Sequence, residues 1–107
     1  MIYVFDIDGT LCELVKDAQY EEARPLIKRI NIVNKLYDEG NYIKLYTARG
    51  STTGIDWYET TKQQLIDWGA KHHNLILGKP YYDLYIDDKS INTERFFSKK
   101  YDIMKGE

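Results

Sequence analysis

The sequence predicts an α/β fold built on a mostly parallel sheet. Short apolar runs of strand length alternate with segments whose apolar residues recur every three or four positions. Such alternation implies parallel strands joined by right-handed crossovers. The residues able to carry chemistry stand at the carboxyl ends of the strand-like runs: Asp6 and Asp8, then Thr47, then Lys79, then Asp87 and Asp88. Open parallel sheets bind their ligands at those ends.

The first strand is expected over 2–7, from Ile2-Tyr3-Val4-Phe5 into Asp6-Ile7-Asp8-Gly9-Thr10. Strand alternation puts Asp6 and Asp8 on one face and Ile7 on the other. Gly9 allows a sharp turn there, and the Thr10 hydroxyl can tie that turn together. Residues 11–20 lack a clear period and read as a short excursion over the acidic pair. Pro25 is expected to open the first helix, where its missing N–H costs nothing. Leu26, Ile27, Ile30, Val33, Leu36 and Tyr37 form the apolar face of that helix, and Gly40 ends it.

The second strand covers 42–47 and leads into a small polar loop, 48–54. A second helix follows over about 56–68, with Trp57, Thr61, Leu65 and Trp68 along one side and Gly69 as its stop. Residues 74–77 make a third strand, closed by Gly78-Lys79-Pro80. Leu84-Tyr85-Ile86 reads as a fourth strand ending at Asp87-Asp88, followed by a helix over about 90–98. The charged tail, 99–107, reads as solvated.

At 107 residues without repeat, linker or low-complexity segment, the chain is expected to be one domain, 1–107. A net charge of −2 argues against nucleic acid or an anionic membrane as partner. Ten tyrosines suit half-wet surfaces and leave a homo-oligomer as an expectation. The first strand starts too early to leave room for a signal peptide, and no apolar run has membrane-spanning length. With Cys12 as the sole cysteine, the expected location is cytoplasmic. Cys12 has no base near it in sequence and reads as a small packing residue.

Two carboxylates about 4 Å apart repel by roughly 4 kcal/mol at an effective dielectric of 20. A protein tolerates such a pair when a cation sits between them or one carboxyl keeps its proton. An oxygen-only donor set suits Mg2+. One carboxylate can then act as nucleophile and its neighbour as general acid and base. Thr47 and the backbone after it can bind phosphate oxygens, and Lys79 can offset charge in the transition state. The plain alternative is a polar strand-end turn without chemistry.

The motifs Asp6-Ile7-Asp8-Gly9-Thr10, Tyr46-Thr47-Ala48-Arg49-Gly50, Gly78-Lys79-Pro80 and Tyr85-Ile86-Asp87-Asp88-Lys89, in that order, resemble the haloacid-dehalogenase superfamily of phosphotransferases. More narrowly, they resemble small bacterial phosphatases of capsule or surface-polysaccharide synthesis. The resemblance covers about residues 2–97. It implies a Rossmann-like three-layer α/β/α sandwich with strand order 3-2-1-4 and without a cap domain. It implies a Mg2+-dependent phosphatase acting through an aspartyl-phosphate on a small phosphorylated metabolite such as a sugar phosphate. Asp6 would be the nucleophile and Asp8 the acid and base. Thr47, Ala48, Arg49 and Lys79 would hold the phosphate. Asp6, Asp8, Asp87 and Asp88 would surround the metal, Asp8 through its backbone carbonyl and Asp88 directly or through water. Lys89 competes with Lys79 as the lysine of the site.

Arg49 can contact substrate phosphate or pair with a carboxylate. Tyr81 and Tyr82 can touch a substrate ring or pack beneath their loop. The adjacent His72 and His73 point to opposite faces of an extended chain and cannot readily share a metal. A signalling receiver also uses acids, a Thr and a Lys, but its accepting Asp stands on a middle strand, where this chain has Thr47. Repair of nucleic-acid ends is disfavoured by the acidic balance. A catalytically idle scaffold is disfavoured by the intact acids, Thr and Lys.

Overall fold

The computed structural model describes residues 1–98, so the tail at 99–107 lies outside the described residues. Three parallel strands form the sheet: β1 (Ile2–Phe5), β2 (Tyr42–Thr47) and β3 (Asn74–Leu77), with β2 central. The register pairs Phe5 with Leu45 and Thr47 with Leu77, so the chain leaves all three strands at the same edge. Helices α1 (Ile27–Asp38) and α2 (Tyr58–Asp67) make the two crossovers. Each closes with a glycine one position beyond its cap. Gly40 and Asn41 donate to Tyr37 and Leu36 after α1, and Gly69 and Ala70 donate to Ile66 and Leu65 after α2. A third helix, α3, runs over 93–98. It starts where Asn92 Oδ1 accepts the Glu94 N–H.

The core lies on one face of the sheet. Phe5, Ile43 and Leu45 meet Ile30, Val33 and Leu36 of α1, Leu65 of α2 and Phe97 of α3 in one cluster, with Tyr3 and Phe96 at its edge. Phe5, Phe96 and Phe97 stand 5.1–6.0 Å apart, the spacing at which aromatic rings attract. Among the described residues the opposite face is left open. Ile2 is 67% exposed and Val4 59%, and Tyr42 and Ile76 are also exposed.

Several sequence expectations need correction. Read from β3, the sheet is ordered 3-2-1 as expected, but among the described residues no fourth strand forms at 84–86 beside β1. Among the described residues α1, α2 and α3 join one core cluster, and Ile2 and Val4 of the other sheet face are exposed, so the expected third layer is not seen there. The physical reason is connection length. Only 78–83 separate β3 from that run, whereas a parallel crossover takes roughly a dozen residues or more. The first helix also starts later than expected. Cys12 bridges to Pro25, and Leu26 N–H donates to Leu11 O, which keeps both residues extended and starts α1 at Ile27.

Candidate active site

The turn after β1 wraps around one carbonyl. Ile7 O accepts the N–H groups of Thr10, Leu11 and Cys12. Gly9 makes this possible with φ of +81°. Arg29 of α1 braces the turn from behind. Its Nη1 donates to Gly9 O and Thr10 O, and its Nη2 pairs with Glu94 at 2.8 Å. Thr10 Oγ1 lies 2.8 Å from Thr93 Oγ1. The acidic turn is thus pinned between α1 and α3.

Asp6 and Asp8 open into a cavity of about 330 Å³. It is lined by Leu14, Val15 and Tyr20 from the segment after β1, by Ala48 and Arg49 after β2, and by Lys79, Pro80, Tyr81 and Tyr82 after β3. The two carboxylates are held very differently. Asp6 is loosely held, with Lys79 Nζ at 3.5 Å and Thr10 Oγ1 at 3.4 Å. Burial raises its pKa above the usual aspartate value; the Asp8 charge adds to this, while Lys79 and the Ile7 N–H partly offset it. Asp8 is clamped. Arg49 Nε donates to Oδ2 and Nη2 to Oδ1, both at 2.9 Å.

Arg49 is buried, with its side chain fully out of solvent. Its Nη1 donates to Thr61 Oγ1 at 3.0 Å and Gln64 Oε1 at 2.6 Å. Its guanidinium carbon sits 4.8 Å from the centre of the Tyr20 ring, within cation–π reach. Arg49 therefore pairs with a carboxylate, and its side-chain donors are spent on protein. Of the two contacts the sequence left open to Arg49, this is the carboxylate one.

Thr47 is buried and does not line the cavity. Its Oγ1 accepts the Arg49 N–H, and its carbonyl accepts the Lys79 N–H. It ties the β2 loop to the β3 loop, and Ser51 Oγ donating to Lys79 O at 2.6 Å repeats the tie. Gly50 makes the loop possible: φ is +80°, and a Cβ there would lie 2.1 Å from Ile55 O.

Lys79, rather than Lys89, reaches Asp6. Burial works against its charge, but Tyr82 and Asp6 outweigh that and raise its pKa. It also sits 5.1 Å from the Tyr82 ring centre and 5.4 Å from that of Tyr85. Lys89 is exposed, and its N–H donates to Asp87 Oδ1 in a tight turn.

Asp87 and Asp88 are exposed and do not line the cavity. Among the described residues no group of three or more metal-binding side chains forms. The expected set of Asp6, Asp8, Asp87 and Asp88 is therefore not brought together. Asp6's carboxylate faces Lys79 and Asp87 and Asp88 stand outside the cavity, so the side chains expected around Mg2+ are not gathered in this arrangement. The missing fourth strand accounts for this.

The remaining features read from sequence are structural. Cys12 is fully buried, and burial pushes its thiol up to about 12. His73 Nδ1 accepts the Ile43 N–H at 3.0 Å, and its ring stacks between Tyr37 and Tyr42. His72 Nδ1 lies 2.9 Å from Ala70 O, so the two histidines share no site. Tyr20, Gln64 and Arg29 were not flagged by the sequence. Thr61 on the apolar side of α2 was a usable signal, because a buried hydroxyl needs a partner.

Among solved structures, a crystal structure of a target protein from Vibrio cholerae is similar to this chain. It has a TM-score of 0.80 at 20% identity over 98% of this chain and 97% of that one, which shows the fold. No protein-family model and no curated protein matches.

Proposed function

We propose that the chain is a phosphomonoesterase that passes the phosphoryl group through Asp6. The observation that carries this reading is the unequal pair at the end of β1: a loosely held Asp6 facing Lys79 beside a clamped Asp8, in one cavity. Asp6 attacks phosphorus, the P–O bond to the leaving group breaks, and the leaving oxygen takes a proton from Asp8. Lys79 offsets the charge of the nucleophile and the phosphate. Asp8 takes the proton of the water that later cleaves the aspartyl-phosphate. The sequence resemblance to haloacid-dehalogenase phosphatases supports the same assignment, with Mg2+ as its expected cofactor and a small phosphorylated metabolite as substrate. No step above passes through the metal, because the donor set is not assembled.

The test is phosphate release from a panel of phosphate esters by wild type, Asp6→Asn and Asp8→Asn, with Mg2+ and with chelator. Release that needs Asp6 is expected. Undiminished release by a folded Asp6→Asn protein would remove the nucleophile assignment.

A further inference from the structure

β1 is an edge strand. β2 pairs with one side of it, and no described residue pairs its backbone with the other. Such an edge is a row of open N–H and C=O groups that templates a further strand. The same chain carries a run without a sheet. Leu84 is 76% exposed, Tyr85 45% and Ile86 87%, in a composition that suits a strand.

That run cannot reach β1 of its own chain. Lys79 is fixed in line with β3, its N–H on Thr47 O and its carbonyl on Ser51 Oγ. The five steps from Lys79 to Leu84 span at most about 17 Å. A place beside β1 at the level of Tyr3 lies three strand spacings across and four residues down the sheet, roughly 19 Å in a straight line. That line passes through β2 and β1, so a path around either face is longer still. A hinge too short for its own chain sends the element to a second copy.

We propose that two copies of this chain exchange the arm 84–98, each laying its 84–86 run parallel along β1 of the other. A register that sets the partner's Asp87 beside Asp6 sets the partner's Ile86 beside Phe5 and the partner's Leu84 beside Tyr3. Phe5 and Tyr3 face the core, so the two exposed aliphatic side chains enter it. Tyr85 then covers Val4 on the open face. α3 follows its strand, and its contacts are remade between copies: Thr93 with Thr10, Glu94 with Arg29 and Phe97 with Phe5. Exchange of this kind repeats contacts the single copy already makes and adds the new ladder. Ile2, Val4, Leu84, Tyr85 and Ile86 from both copies bury about 100 Å² each, which reaches roughly the 1,000 Å² a specific interface needs before backbone is counted. The exchange also brings Asp87 and Asp88, outside the cavity in one copy, to the carboxyl end of the partner's β1. The copies assemble whatever the chemistry; what the completed site does rests on the phosphatase reading above.

The test begins with light scattering on the eluting full chain, which should give twice the 12.7 kDa of one copy. Leu84→Ser with Ile86→Ser should shift it to one copy. Both residues are exposed there, so unfolding at dilutions that hold single copies should not change. About ten Gly and Ser residues inserted after Tyr82 supply a crossover length and should also give one copy. Asp6→Asn and Asp87→Asn proteins, each inactive alone, should regain about a quarter of wild-type turnover when unfolded and refolded as an equal mixture, since half the dimers are mixed and each holds one intact site. A single copy of wild type at every concentration overturns the exchange. So does a dimer that survives the insertion, or one whose mixed refolding restores nothing. Release that persists in Asp6→Asn alone breaks the nucleophile reading instead and leaves the masses to decide the exchange.

Discussion

The two walls of the cavity are made by different physics. One is Asp8, Arg49 and Tyr20, which line the cavity and are backed by Thr61 and Gln64 of α2 in a hydrogen-bonded network around the buried Arg49. The other is Tyr81 and Tyr82, which line the cavity, with the adjoining Leu84, Tyr85 and Ile86, all exposed. The first wall is specified by partners on several elements. The second is held near the site chiefly through Lys79, by its ion pair with Asp6, its backbone bond to Thr47 O and the rings of Tyr82 and Tyr85 above it. Polar residues become a defined site where apolar packing and saturated hydrogen bonding surround them.

The comparison breaks most severely at Arg49. Arg49→Met leaves Asp8 without its partner, and removing one member of a buried pair costs about 3–5 kcal/mol; urea unfolding should show that loss. Gly50→Ala comes next. The left-handed backbone strain costs about 1–3 kcal/mol, and the overlap with Ile55 O adds to it. A lowered thermal midpoint together with weakened phosphate-ester turnover is expected. On the exposed wall, Leu84→Ser with Ile86→Ser should change stability by less than about 0.5 kcal/mol, as surface substitutions do.

Two changes at Asp6 and Lys79 sharpen the comparison by pH. The fold raises the Asp6 pKa, so its favourable contribution is present below its ordinary value of 3.8 and is lost as pH rises through the raised one. Asp6→Asn should therefore melt higher than wild type at pH 7, with the gap closing below pH 3.8. Lys79→Met removes a charge that lowers the Asp6 pKa, so the acid limb of kcat/KM should move to higher pH.

The sequence makes the first wall's acids legible and hides its clamp. Asp6 and Asp8 follow from strand alternation, and α1 and α2 from their apolar period. Arg49 paired with Asp8 depends on two residues far apart in sequence, and no local pattern chooses between a carboxylate and a substrate phosphate. The run at 84–86 shows the opposite failure. Its composition is strand-like, but six intervening residues cannot carry a parallel crossover, so Asp87 and Asp88 stay outside the cavity. The Lys79 and Lys89 choice likewise needed tertiary structure, because both follow apolar runs.

The most direct measurement is mass spectrometry of the protein acid-quenched during turnover of phenyl phosphate. A transient phosphoryl group is expected on the peptide that contains Asp6, absent in Asp6→Asn. Full turnover with no phosphoryl group on that peptide at any quench time, or with one on a different residue, would contradict it.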